Sequence, residues 1–62
     1  MKPDWKGFCE YIILTDGNIS VKESKKYGIP EGKVIELLIF ASNNPKTFVA
    51  NARKVLTYYS EV

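Results

Sequence analysis

The chain of 62 residues has no histidine and a single cysteine, Cys9. Without histidine there is no imidazole base and none of the usual zinc ligand sets, and one cysteine cannot close an internal disulfide. No apolar run approaches the ~20 residues that cross a bilayer. An N-terminus interrupted by Pro3, Asp4 and Lys6 does not resemble a signal peptide. Paired carboxylates at a useful spacing and a glycine-rich phosphate loop are also missing, which leaves little for acid–base or phosphoryl chemistry. The formal net charge of +2 at pH 7 permits nucleic-acid binding without demanding it. These absences lead us to expect a protein that is not an enzyme, holds no cofactor or metal, keeps off membranes, and is soluble in a reducing compartment, the cytoplasm.

What is present is a foldable composition. At 45% hydrophobic and 13% aromatic residues the chain is too apolar to stay disordered. With no internal repeat, linker or low-complexity tract, residues 1–62 read as a single domain. A chain this short buries only about 60% of the surface its unfolded form exposes. Its core is therefore marginal, and a homodimer or another protein partner is a candidate means of completing it.

The most apolar stretch, residues 34–41, is expected at the centre of the fold. As a helix it sets Val34, Leu37, Leu38 and Ala41 on one face, Ile35 and Ile39 on a flank, and Lys33, Glu36 and Phe40 on a third side. Pro30 and Glu31 suit its start, and Ser42, Asn43, Asn44 and Pro45 its end. A strand buried on both faces would show the same run.

Residues 4–17 admit two readings that decide the fold class. A helix would use Asp4 as N-cap, a stripe of Trp5, Phe8, Cys9, Ile12 and Ile13, and Gly17 as the left-handed residue beyond its end. A hairpin would turn on Asp16-Gly17. The next segment favours the helix, because Ser20 and Glu23 have the spacing of a capping box. Ser20 would bond the Glu23 amide while Glu23 reaches back to Ser20. Gly28 would then end a helix over 21–27. Asn44 and Pro45 open the last segment, where Phe48, Ala52, Val55, Tyr59 and Val62 recur on one side with Val49 and Leu56 beside them. The expected fold is all-α, a compact helix-turn-helix-like domain of four short helices over roughly 4–15, 20–27, 30–42 and 45–60. The alternative is α+β, an N-terminal β-hairpin packed on two helices.

Residues 20–37 carry the one motif. The stretch Tyr27-Gly28-Ile29-Pro30-Glu31-Gly32-Lys33-Val34 resembles the helix-turn-helix of sigma-factor region-four domains, with Gly28 at the turn and Ile29, Val34 and Leu37 packing the second helix on the first. It departs from that family at Glu23 and Lys26, where an apolar residue is usual, and at Ser24, where alanine is usual. The resemblance implies a small regulatory protein that binds nucleic acid, DNA or RNA. Its DNA-facing positions would be Pro30, Glu31, Gly32, Ile35 and Glu36, which lack the side-chain donors usual in base readout. The cations flank them, so Lys22, Lys25, Lys26 and Lys33 are the candidate phosphate contacts. The alternative function is a small protein-interaction module that docks on a larger enzyme or polymerase. For it, the aromatics Trp5, Tyr11, Phe40 and Tyr58, which do not all fit on apolar faces, are the anchors to consider, with Phe40 and Tyr58 the candidate contacts. Asp16 to Glu23 is similar to the back half of a calcium-binding EF-hand loop, but Ile12 and Leu14 stand where its first oxygen ligands belong, which excludes such a site.

Overall fold

The computed structural model describes residues 2–61, and among these it has four helices and no strand: α1 (Trp5–Leu14), α2 (Val21–Lys25), α3 (Glu31–Asn43) and α4 (Pro45–Glu61). The protein is all-α, and Val62, assigned above to the apolar stripe of α4, lies outside the described residues. Asp16-Gly17 ends a helix here instead of turning a hairpin. The Gly17 N–H donates to the Ile12 carbonyl at 2.9 Å and the Asp16 N–H to the Ile13 carbonyl at 3.1 Å, the pair of reversed bonds that closes a Schellman motif. The residue seated at the left-handed position after the cap is Asp16, at φ 53°, with Gly17 following at φ 87°. The expectation had put Gly17 there; aspartate tolerates this region better than most side chains.

At the other end of α1, the Asp4 carboxylate accepts from the Gly7 N–H at 3.0 Å, and the Asp4 N–H donates to the Tyr27 carbonyl at 2.7 Å. Gly7 costs α1 up to about 1 kcal/mol of helix propensity. The reason for it is steric: a Cβ there would collide with the Asp4 carboxylate and press on the Tyr27 ring, 3.2 Å from Cδ1.

Ser20 caps α2 by accepting from the Glu23 N–H at 3.2 Å, but the reciprocal arm of the capping box is replaced. The Ser20 N–H donates to the Tyr11 hydroxyl at 3.0 Å, while the Glu23 carboxylate sits 3.1 Å from the Lys26 ammonium. Tyr11 can reach because its ring stacks on Tyr27 at 5.6 Å between centroids, with both rings against Phe8 at 6.3 and 6.0 Å. The helical part of α2 stops at Lys25, two residues short of expectation, and residues 26–28 form a turn that closes with Gly28 at φ 75°.

The core is Phe8, Cys9 and Ile12 from α1, Ile19 and Ile29 from the loops, Val34 from α3, and Phe48 and Ala52 from α4. Trp5 lines a groove with Val55, while Gly17 lies beside Phe48 and Val49, so α1 and α4 run antiparallel. At 1.5 Å per residue, α4 is about 10 Å longer than α1. Its apolar stripe therefore runs out of cover, from Phe48 and Ala52, each 4% exposed, to Val55 and Tyr59, each 40% exposed. The expectation for residues 34–41 needs the same correction. Only Val34 is fully buried in α3, and Ile35, Ile39 and Phe40 are 46, 60 and 37% exposed. The molecule is flattened, 29 × 29 × 16 Å, and α3 packs chiefly on α2 and α4, which leaves its outward side uncovered.

Candidate functional site

Two surfaces were singled out by sequence, and the structure treats them differently. Lys22, Lys25, Lys26 and Lys33 are all exposed, as a phosphate-binding rim requires. Three of them face carboxylates: Lys25 lies 3.7 Å from Glu31, Lys26 3.1 Å from Glu23, and Lys33 3.6 Å from Glu36. Among the described residues Lys22 has no such partner. Four lysines thus stand with three glutamates, and the rim carries a net charge near +1. These pairs are solvent-exposed and worth about 0–1 kcal/mol each, so they mask charge more than they hold structure.

Between α2 and α3, Ile29 is buried, Val34 is fully buried and Leu37 is half-buried, the three positions where the turn needs packing. Ser24, in the place where the resemblance favours alanine, is also fully buried and donates its hydroxyl to the Ser20 carbonyl at 2.6 Å. A small side chain is what this position admits, and its hydroxyl is satisfied locally. Pro30, Glu31, Gly32, Ile35 and Glu36 all face solvent, so the outward side of α3 is acidic and apolar.

The second surface is a groove of about 170 Å³ where α1, α3 and α4 meet. Trp5 from α1, Leu37 and Phe40 from α3, and Asn51 and Val55 from α4 form its rim, over a floor that includes Phe8, Cys9 and Phe48. Asn51 is its single polar side chain. Phe40 stands edge-on to Phe48 at 6.3 Å, held at the groove mouth. Tyr58 does not line the groove; it sits three residues beyond Val55 on α4, 65% exposed, with its ring 5.9 Å from that of Tyr59. By helical spacing, Val55, Tyr58 and Tyr59 continue one face past the end of the groove. The other two aromatics considered, Trp5 and Tyr11, are half-buried and packed on Phe8 at 6.0 and 6.3 Å.

Of the two partner-binding candidates, the structure therefore places Phe40 on the groove and Tyr58 on its extension. Sequence reasoning had Trp5 among the aromatics that could anchor a partner and missed Leu37, Asn51 and Val55 as members of this surface. Leu37 and Val55 carried a signal, their places on the apolar sides of α3 and α4; the groove itself exists only where three helices cross. Two further hollows, of about 360 and 310 Å³, gather around Asp16 and Pro45 and mix charged or polar groups with small apolar ones.

Chemically the site offers apolar contact. Cys9 is a free, buried thiol whose pKa burial raises, which holds it away from the nucleophilic thiolate. Among the described residues no group of three or more potential metal ligands comes together, and no helix is long and apolar enough to cross a membrane. Compared with models of protein families, with curated proteins and with solved structures, the chain matches none of them.

Proposed function

We propose that this domain acts by docking a protein on the apolar face that α3 and α4 share, and that it is a regulatory binding module without catalytic activity. The observation that carries the reading is the groove of Trp5, Leu37, Phe40 and Val55, continued along α4 by Tyr58 and Tyr59. Rigid aromatic side chains around a preformed apolar recess are the usual anchors of protein interfaces. With one cysteine the fold needs no internal disulfide and so no oxidising compartment, and the cytoplasm is the proposed place of work.

Nucleic-acid binding is the second reading, favoured by the packed turn between α2 and α3 and by the outward lysines. A salt titration separates the two. Phosphate contacts by Lys22, Lys25, Lys26 and Lys33 would give retardation of DNA or RNA that weakens with salt by a log–log slope of about −0.9 per phosphate on duplex DNA. Each lysine-to-alanine change would flatten that slope by about one unit. The docking reading expects no retardation of duplex or single-stranded DNA or RNA at ~50 mM salt and protein concentrations of tens of micromolar, where non-specific binding by a basic protein is already measurable. Retardation that responds to the lysines in this way overturns it.

A further inference from the structure

We infer that the partner on the groove face is a second copy of this chain, joined by a two-fold contact in which Phe40, Val55, Tyr58 and Tyr59 of one copy meet the same residues of the other. This rests on the docking reading above and specifies its occupant. Three observations lead to it.

The first is surface area. The protein exposes 4469 Å², whereas a folded monomer of 7.1 kDa is expected to expose about 4,100 Å². The excess is roughly 400 Å². Taking about 200 Å² for a fully exposed aromatic ring, the uncovered parts of Phe40, Val55, Tyr58 and Tyr59 come to roughly the same area. That one face is thus about as large as the excess, beside the separately exposed Leu14, Ile35 and Ile39.

The second is what that area suffices for. Homodimer interfaces are about 65% apolar, so an apolar patch of this size implies about 600 Å² covered per copy. That reaches about 1,200 Å² in total, the lower bound for a specific interface. A larger, obligate dimer would need more apolar surface than the face holds. The expected complex is a reversible dimer that forms at high concentration and dissociates on dilution.

The third is shape. A two-fold interface must be complementary to itself, and this face carries both halves of the fit. The groove between α1, α3 and α4 is the recess, and the uncovered end of α4, about 10 Å beyond α1 by helical rise, is the projection. Val55 belongs to both. Turning one copy about an axis near Val55 lays the Tyr58-Tyr59 end of each α4 toward the partner's Phe40 and Leu37. Ile35 and Ile39, also exposed, are not groove-lining and lie on the other flank of α3, outside this contact.

The test is sedimentation velocity from ~1 to ~500 µM, a span that brackets reversible association at the lower size limit. We expect a monomer at the low end and a dimer at the high end. Tyr58→Glu and Val55→Glu, at residues 65 and 40% exposed, place a charge in the apolar contact; each should weaken association at least tenfold, and Tyr58→Glu should leave the unfolding midpoint of the monomer unchanged. Ile39→Glu, on the opposite flank, should dimerise as the parent does. A monomer throughout the range overturns the inference, as does dimerisation insensitive to Tyr58→Glu and Val55→Glu, or dimerisation lost in Ile39→Glu alone. Each of these sinks the second-copy assignment, whereas lysine-dependent retardation of nucleic acid sinks the docking reading itself.

Discussion

Gly28 and Gly32 sit four residues apart, and the same substitution at each should move stability in opposite directions. Gly28 has φ 75°, and a Cβ there would rest 3.4 Å from both the Lys2 carbonyl oxygen and Pro3 Cα. Those distances are ordinary contact, so the penalty of Gly28→Ala is chiefly that of holding an L-residue in the left-handed region, about 1–2 kcal/mol. It is offset in part by the ~0.4–1 kcal/mol that alanine gains by restricting the unfolded chain. A net loss of about 1 kcal/mol remains, and Gly28→Val, with two γ-carbons pressed toward Lys2 and Pro3, should lose about 2–3 kcal/mol. Gly32 lies in the first turn of α3, and a Cβ on it meets nothing within 4 Å. Gly32→Ala should therefore gain up to about 1 kcal/mol from helix propensity. For a domain of this size each kcal/mol is about 4–8 °C in Tm, so thermal unfolding followed by far-ultraviolet circular dichroism resolves the two signs. Gly28→Ala as stable as the parent would refute the left-handed turn and with it the geometry joining α2 to α3.

The remaining predictions concern the caps and the thiol. Tyr11→Phe removes the acceptor of the Ser20 N–H and should cost about 1 kcal/mol, whereas Glu23→Gln, which loses only the exposed pair with Lys26, should cost about 0.5 kcal/mol or less; urea unfolding giving the reverse order would restore the reciprocal capping box. Asp16→Gly relieves a side chain at φ 53° and should raise the urea midpoint by an amount equivalent to about 0.5 kcal/mol, the left-handed penalty less the entropy of glycine. Burial raises the Cys9 pKa, so the folded state holds the neutral thiol and its stability contribution is lost only as pH climbs above the thiol's ordinary range. Below that range, alkylation of Cys9 should track global unfolding, and labelling of the native protein at the rate of a free thiol would contradict its place in the core.

The helices were legible because their signals are local. Asp4 and Ser20 mark starts with side chains that accept from amides three residues on, Pro45 opens α4 with φ already set for a helix, and the spacing of Phe48, Ala52, Val55 and Tyr59 survives without any partner. The signals that failed were those settled across the molecule. Glu23 has the capping-box spacing, yet the Tyr11 hydroxyl, nine residues upstream of Ser20, takes its role because Tyr27 stacks on that ring. Gly7 lowers the helix propensity of α1, and part of its reason, the Tyr27 ring against it, lies twenty residues away. Residues 34–41 are the most apolar run, but burial also depends on how many neighbours a helix has, and α3 packs chiefly on α2 and α4 alone. For the site, Phe40 and Tyr58 were visible as aromatics with no apolar face to join. Lysine positions were visible too, and the Lys26–Glu23 and Lys33–Glu36 pairs are three residues apart in sequence, but the Lys25–Glu31 pair becomes definite only once α2 and α3 are set side by side.

The central claim is that this protein works through the α3–α4 apolar face and not through its lysines, and amide chemical-shift mapping by NMR tests it most directly. Spectra recorded from ~20 to ~500 µM, and then with duplex DNA and single-stranded RNA added at ~50 mM salt, report both surfaces at once under conditions where phosphate contacts are strong. The account predicts concentration-dependent shifts at Leu37, Phe40, Asn51, Val55, Tyr58 and Tyr59, with no response to either nucleic acid. Shifts on adding nucleic acid at Lys22, Lys25, Lys26 and Lys33, with the groove residues unmoved at every protein concentration, would contradict it.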